Sequence, residues 1–460
     1  MADDPVQTDE RKDASYALGD QLVSGVLLAV ATQNRDRLQE LFAPLHPADI
    51  ADLLEQVSPG ERRAILLLAH GLIDGSVLSE LDEGLREEVI SFLPVQSLEE
   101  AVRELETDDV VDLIEDLDEE QQEQVLEALE ADDRAAVEAS LTFPEFSAGR
   151  LMQRELVAVP EHYRVGQAID HMRSHDDLPE QFYHVILVDP RMKPVGYVTL
   201  GKVMSSKREV AMADITEDSF RTIPADQAES EVAYAFNQYH LISSPVVDAD
   251  GRLVGVITID DAMAVLDEQH EEDILRLAGA GDSRLSDGAI ETTRQRFPWL
   301  AVNLVTAILA SLVISVFEDA IAQVVALAVL MPIVASMGGN AGTQALTVAV
   351  RAIATKDLTR KNLFRVVRRE SLVGLLNGAV FAVVMGVVGV VWFGMPMLGI
   401  VIAVAMIVNL VVAGLAGIVI PVALDRVGVD PALASGAFVT TVTDVVGFFA
   451  FLGLAVLVLL

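Results

Sequence analysis

The hydrophobic pattern of this chain changes its period twice along its length. From Leu22 to Leu141 apolar residues recur every three or four positions, as in LHPADIADLLEQVSPGERRAILLLAH and SLEEAVRELETDDVVDLIEDLDEEQQEQVLEAL. That spacing predicts short helices with one apolar face each, and Ser58-Pro59 marks a boundary between two of them. From Gly149 to Leu266 short apolar runs alternate with helical stretches, and the theme occurs twice. HVILVDPRMKPVGYVTLGKVM in the first unit answers SSPVVDADGRLVGVITIDDAMAVL in the second. Each unit predicts strand, helix, strand, turn, strand, helix, and the duplication supports both readings. From Phe297 onward five apolar stretches follow: Phe297–Phe317, Ala320–Ser336, Ser371–Phe393, Met395–Leu424 and Pro431–Leu460. Each is near the ~20 residues that a helix needs to cross a bilayer core.

Two places inside these stretches break the apolar rule. Asp444 is the sole ionisable side chain between Pro431 and Leu460. A carboxylate at that depth costs at least about 2.5–3.5 kcal/mol on insertion scales, so it is expected to serve a wet path, a cation or a partner helix. The plainer alternative is an acid satisfied by a neighbouring Thr or Asn. The second stretch runs into Met337-Gly338-Gly339-Asn340-Ala341-Gly342-Thr343-Gln344. Three glycines in five residues disfavour a smooth helix, and Asn340, Thr343 and Gln344 offer oxygens suited to hydrated hard cations. The expectation is an interrupted helix lining a cavity, with close helix packing as the competing reading. For Gly374 and Gly378 of the third stretch the packing reading is favoured.

Charge is distributed unevenly. The protein has 460 residues, 52% hydrophobic, with 70 acids, 32 bases and a formal charge of −38. Seven of those acids and eight of the bases lie from Phe297 onward, so the negative charge belongs to the first two thirds. Such a surface disfavours nucleic acid and favours cations. Asp108, Asp109, Asp112, Glu115 and Asp116 lie close enough to form one negative surface, and Glu268, Glu271, Glu272 and Asp273 crowd a linker, DEQHEEDILRL. The connection Arg351–Glu370 holds seven bases, which places it on the cytoplasmic side together with the large N-terminal portion, and the C-terminus outside. The polar start of the chain lacks a secretory pattern, and cysteine is absent, which excludes disulfides and thiolate metal sites.

The duplicated units resemble a pair of CBS domains, regulatory modules that often bind adenine nucleotides. The nucleotide-binding strand end of that family matches Gly255-Val-Ile-Thr258-Ile-Asp260-Asp261, so Thr258 and Asp261 are the candidate contacts. The first copy, Gly196-Tyr-Val-Thr199-Leu-Gly201-Lys202, has lysine in place of the acid. With MGGNAGTQ, Asp430-Pro431-Ala432 and Thr440-Thr441-Val442-Thr443-Asp444-Val445-Val446-Gly447, the whole arrangement resembles the MgtE-type magnesium channels from about Leu22 to the end. The polar, acidic start reads as a disordered tail over 1–21, and the resemblance implies an acidic helical domain over 22–145, tandem CBS domains over 146–266, an acidic linker (plug) helix over 267–296 and a five-helix membrane domain over 297–460. It further implies a homodimer in the cell membrane whose pore, at the subunit interface, is formed mainly by the second and fifth spans. There Asp444 would bind magnesium, Asn340, Gly338, Gly339, Thr343 and Gln344 would line the path, and Asp430 would lie near its cytoplasmic mouth. Asp261, Glu272 and Asp273 would hold regulatory magnesium, and Glu271, Asp108 and Asp112 are further candidate ligands. Gln269 departs from the family's acid at its position, so the number of regulatory ions does not carry over.

Readings of other classes are weaker. An ion-coupled secondary transporter of divalent cations with nucleotide regulation would also use a membrane acid, but would usually show inverted repeats and paired broken helices. An enzyme is disfavoured, because no nucleophile–base set or phosphate-cradling loop occurs.

Overall fold

The computed structural model describes residues 18–460 apart from 70, 94, 104, 116, 176–177, 180 and 282–287. The expected tail therefore falls mostly outside the described residues, as does Asp116. The chain forms two compact units, residues 1–266 and 267–460, each considered by itself.

Among the described residues the first unit begins with ten short helices: α1 (Asp20–Ala31), α2 (Arg35–Phe42), α3 (Pro47–Gln56), α4 (Pro59–Leu68), α5 (Gly75–Ser79), α6 (Glu83–Phe92), α7 (Val95–Val102), α8 (Thr107–Glu115), α9 (Glu119–Ala128) and α10 (Ala131–Ser140). Helix α1 starts two residues before the expected Leu22, with Asp20 in its first turn, where a negative charge complements the helix dipole. One apolar core, from Val26 to Val137, runs through all of them. A device absent from the hydrophobic pattern joins successive helices. Ser58, Asp82 and Asp118 sit at helix N-caps, and four residues after each comes Arg62, Arg86 or Gln122. Arg62 donates from Nε to Leu54 O (2.8 Å), Arg86 to Leu81 O (3.1 Å), and Gln122 to Ile114 O (3.1 Å) and Leu117 O (2.9 Å). Each long side chain satisfies carbonyls orphaned at the end of a preceding helix, so cap and pin recur together.

Two three-stranded sheets follow, with matching topology. In the first, β1 (Val157–Pro160) pairs in parallel with β2 (His184–Val188), which pairs antiparallel with β3 (Pro194–Thr199). In the second, β4 (Ile223–Pro224), β5 (Ser243–Val247) and β6 (Leu253–Thr258) repeat this order. Register shifts fall at equivalent places, Leu187/Val188 and Val246/Val247. The intervening helices are α11 (Val165–Ser174), α12 (Leu200–Ser205) and α13 (Glu229–Tyr239), with a 3-10 turn over Met212–Ile215. His184 and Ser243 open the two corresponding strands, and their Nδ1 and Oγ atoms meet at 2.6 Å in a buried hydrogen bond.

Helix α14 (Ile259–Leu277) closes the second CBS-like repeat and continues without interruption through the acidic linker. The boundary expected at 266/267 thus falls within one helix, because no glycine or proline intervenes before Gly279. Part of the expected 267–296 linker, residues 282–287, lies outside the described residues.

The second unit contains α15 (Ala289–Val316), α16 (Glu318–Gln323), α17 (Ala326–Ala354), α18 (Leu363–Phe393), α19 (Pro396–Arg426) and α20 (Pro431–Leu459). Five of them are long and apolar enough to cross a membrane. The second begins at Ala326 rather than Ala320, since the acids Glu318 and Asp319 start the separate short helix α16. The basic connection is also shorter than expected: Arg351 belongs to α17, and residues from Leu363 belong to α18. Helix α19 is central and packs on α17, α18 and α20.

The expected interruption at Met337–Gln344 does not occur; α17 is helical throughout. The physical reason lies in its neighbours. A Cβ at Gly338 would collide with Asn409 of α19, and one at Gly342 would stand 2.6 Å from Val439 of α20. These glycines admit neighbouring helices at close range, and that packing outweighs a propensity penalty of ~1 kcal/mol each. Gly374 and Gly378 act alike, opening α18 to the backbone of α19 at Leu410 and Ile407.

Candidate functional site

The membrane unit is built around Asn409. Fully buried, it donates from Nδ2 to Val334 O (2.8 Å) and lies against both Gly338 of α17 and Gly447 of α20. Asn409 therefore fixes α17 beside the segment of α20 that carries Asp444.

Asp444 is half-buried, three residues before Gly447. The neighbouring hydroxyls do not satisfy it. Thr440 donates to Gly436 O (2.9 Å), Thr441 to Ala437 O (2.5 Å) and Thr443 to Thr440 O (3.0 Å). Among the described residues no hydrogen bond or ion pair reaches the Asp444 carboxylate, so the plainer reading, an acid satisfied by Thr or Asn, fails within this chain.

Helix α17 presents two unlike faces. Leu330, Val334, Gly338, Gly342, Ala345 and Ala349 are buried, while Ser336, Asn340, Thr343, Gln344, Thr347 and Arg351 form an exposed polar stripe at helical spacing. Thr343 and Thr347 each donate to the carbonyl four residues back, and Asn340 Nδ2 reaches Ser336 Oγ at 3.5 Å. Of the expected path residues, Asn340, Thr343 and Gln344 share this stripe and Gly339 lies beside it, whereas Gly338 faces the packed side. Such a stripe on a helix of membrane length requires water or another polar surface beside it.

At the start of α20, Asp430 caps the helix by accepting from Ala432 N (2.8 Å). Its other oxygen accepts from Arg276 (3.2 Å), which also pairs with Glu272 (3.0 Å). Asp273 is pushed above the usual carboxylate range by burial and by the charge of Asp430. Leu277 packs with Leu346, Val350, Ala432 and Val439, so the end of α14 is seated against α17 and α20. Glu271 is exposed.

A second acidic group lies in the first unit, where α8 meets the first turn of α14. Burial raises Asp108 well above its ordinary value, with Asp261 the next cause. Burial followed by Asp261 raises Asp109 to about 7, and burial followed by Glu155 raises Glu106 to about 7. Asp261 rises to about 6, mainly through burial, even though it accepts from Thr258 Oγ1 (2.7 Å). The expected single acidic surface is divided: Asp112 pairs with Arg86 (2.6 Å) and Glu115 with Arg150, which draws both away from it. Glu106, missed on the sequence, joins Asp108, Asp109 and Asp261. Among the described residues no three or more His, Asp or Glu side chains stand ready to hold a metal ion.

A narrow cleft between the two sheets is lined by Gln153, Glu155, Tyr183, His184, Ser243 and Thr258, together with apolar neighbours. Thr258, one of the two expected nucleotide contacts, lines this cleft. Asp261 is not among the lining residues, and Lys202 of the first repeat lies 3.6 Å from Glu217.

Comparison with known proteins decides the family. A divalent cation transporter family of the MgtE type matches residues 331–454, the MgtE intracellular N domain matches 45–146, and CBS domains match 148–209 and 212–268. A protein named magnesium transporter MgtE from Bacillus subtilis (strain 168) is 30% identical over 439 residues, covering 95% of this chain and 97% of its own. The chain belongs to the MgtE family. A magnesium transporter MgtE from Thermus thermophilus is 32% identical over 442 residues, covering 94% of this chain and 98% of its own. The solved cytosolic domain of the Mg2+ channel MgtE in complex with ATP is 28% identical; it covers 53% of this chain and 99% of that one, with a TM-score of 0.49. This MgtE chain is thus a multi-pass membrane protein of a transporter family rather than an enzyme, with an N domain, a CBS pair and a five-helix membrane unit.

Proposed function

We propose that this protein carries magnesium across the cell membrane through a path formed where two copies meet. The observation that carries the reading is Asp444, a half-buried carboxylate on an apolar helix with no partner among the described residues. A two-fold axis beside α17 and α20 would bring two such carboxylates to one point and face the two polar stripes across it. Magnesium sheds water reluctantly and is usually held by one or two carboxylates with several waters retained. Two Asp444 side chains flanked by Asn340, Thr343 and Gln344 suit a largely hydrated divalent ion.

Closure by cytosolic magnesium follows from the same chemistry. Glu272, Asp273 and Asp430 crowd around Arg276 at the seat of α14, and Asp108, Asp109, Glu106 and Asp261 crowd in the first unit. A divalent cation at either place relieves like-charge repulsion and holds α14 in the seated position against α17 and α20, a ligand-driven switch. The cleft at Thr258, His184 and Ser243 offers polar groups for an adenine nucleotide, but at about 20 Å³ it has to widen to admit one.

The test is magnesium flux into proteoliposomes. Asp444→Ala is expected to abolish uptake while the protein stays folded; uptake at the wild-type rate would end the pore assignment. Uptake that follows an imposed membrane potential without a co-ion gradient separates a channel from the coupled transporter. Cysteine placed near Asp444 in this cysteine-free chain is expected to cross-link to its symmetry mate, more slowly with magnesium present. Cross-linking confined to Gly374 and Gly378 would move the axis elsewhere.

A further inference from the structure

The first turns of α18 carry charge that the transport path does not use. Arg360 and Lys361 precede the helix, Arg365, Arg368 and Arg369 follow within it, and all five are exposed. Among the described residues none of the five forms an ion pair. Two carboxylates lie nearby in sequence. Asp357 accepts from Thr355 Oγ1 (2.8 Å), and Glu370 lies on the side of α18 that meets Gly414 of α19.

The five bases are placed at a particular height. Helix α18 buries Gly374, Gly378, Ala382, Met385 and Gly389 and exposes Leu372, Leu376, Val380, Val383, Val387 and Val391 on the opposite side. Stepping back by four from Leu372 gives Arg368 and then Phe364, so both continue the exposed apolar stripe. The 22 residues from Leu372 to Phe393 span about 33 Å, close to the ~30 Å of a hydrocarbon core. Arg368 and Arg369 then lie about 4.5–6 Å beyond Leu372, within the headgroup layer. Phe364 is 78% exposed at the same end, an aromatic ring with no protein to cover it.

At the helix start Leu363 N donates to Thr359 O (3.0 Å), while Phe364 N and Arg365 N have no backbone partner among the described residues. Asn362 does not cap α18 with its side chain, which instead accepts from Thr359 N (2.8 Å) and donates to Asp357 O (2.7 Å). First-turn N–H groups, aligned with the positive end of the helix dipole, suit phosphate oxygens.

We propose that this surface binds the headgroups of anionic phospholipids. Arg365, Arg368 and Arg369 engage phosphodiester and headgroup oxygens on the lipid-facing side, Arg360 and Lys361 add charge at the helix start, and Phe364 enters the acyl boundary. An acidic protein surface would use the charge but would leave Phe364 and the adjoining apolar stripe unexplained. Free phosphate would use neither of the latter. A membrane supplies both the charge and the apolar layer at the observed spacing, and basic residues beside a membrane helix favour anionic lipid.

The test uses the full chain reconstituted in phosphatidylcholine vesicles containing trace spin-labelled phosphatidylglycerol or spin-labelled phosphatidylcholine. Electron paramagnetic resonance reads the motionally restricted fraction of each. Wild type is expected to favour phosphatidylglycerol about fivefold at low salt, equivalent to about 1 kcal/mol for one base near the surface. In 1 M salt, where the Debye length is ~3 Å, the preference is expected to approach parity. The combined variant R365Q, R368Q and R369Q is expected to lose most of it, and the corresponding Lys variant to keep it. No preference in wild type, or one unmoved by salt, overturns the proposal without recourse to any variant. Equal preference in the Gln variant overturns it as well. Loss of preference on adding inorganic phosphate at constant ionic strength would show a free-anion site instead.

Discussion

Arg276 and Asp430, 154 positions apart in sequence, meet at 3.2 Å, and the carboxylate that receives the guanidinium is also the N-cap of α20. One side chain thus serves both the start of a membrane helix and its tie to α14. The two roles separate by substitution. Asp430→Asn keeps a cap acceptor and loses the charge, whereas Asp430→Ala loses both. The Ala variant is expected to cost about 1 kcal/mol through the cap, and Arg276→Gln less than that, because the pair is partly exposed. Amide exchange at Ala432 reads the difference. Equal protection in the Asn and Ala variants would show that the cap contributes nothing.

The glycines of α17 make a second prediction. At Gly338 a methyl group would press on Asn409, itself confined by Gly447 and bonded to Val334. Gly338→Ala is expected to destabilise the membrane unit by about 1–3 kcal/mol through overpacking. Gly339→Ala, with open space beside the Cβ position, is expected to be neutral or slightly stabilising. Thermal unfolding in detergent ranks the two, and the reverse order would refute the packing explanation.

The acids between α8 and α14 predict a pH dependence. Glu106 and Asp109 titrate near 7 and Asp261 near 6 in the folded protein, against ordinary values of 4.5 and 3.8. Between about pH 4 and pH 7 the folded state therefore holds more protons than the unfolded one, and stability falls as pH rises through that window. Local exchange of α8 amides is expected to quicken accordingly. Magnesium is expected to restore protection strongly at pH 8 and weakly at pH 5.5, where protons occupy the same carboxylates. Protection independent of both pH and magnesium would remove this cluster from regulation.

Arg86 and Asp112 separate a structural acid from a metal-binding one. Arg86 is buried and donates to two carbonyls as well as to Asp112, which remains exposed. Arg86→Met is expected to cost about 1–3 kcal/mol and Asp112→Ala clearly less, measured by urea unfolding. If Asp112→Ala instead shifts the magnesium concentration that protects α14, the acid has a regulatory role beyond its partner.

The linker acids give a further prediction. Neutralising Glu271, Glu272 and Asp273 together is expected to raise the magnesium concentration at which the α14 region becomes protease-resistant. An unshifted midpoint would refute closure through this helix while leaving Asp444 untouched.

What the sequence determined by itself follows from local rules. Hydrophobic period placed the helical domain, the duplicated strands and five membrane-length segments, because burial on one face or on all faces leaves its own spacing in the chain. Asp444 was legible for the same reason: a lone acid in an otherwise apolar or neutral stretch from Pro431 to Leu460 needs a cause. The fate of Gly338 and Gly342 was not legible. Three glycines weaken a helix locally, but the shape of Asn409 and Val439 on other helices made them sites of close approach, and only the packed structure holds that information. Likewise, Asp108 and Asp112 occupy one helix face in sequence, yet Arg86 claims one and burial beside Asp261 the other. Charge spacing along a chain sets which acids lie near each other on a helix; the tertiary structure decides which of them find a base and which are left to a cation or a proton.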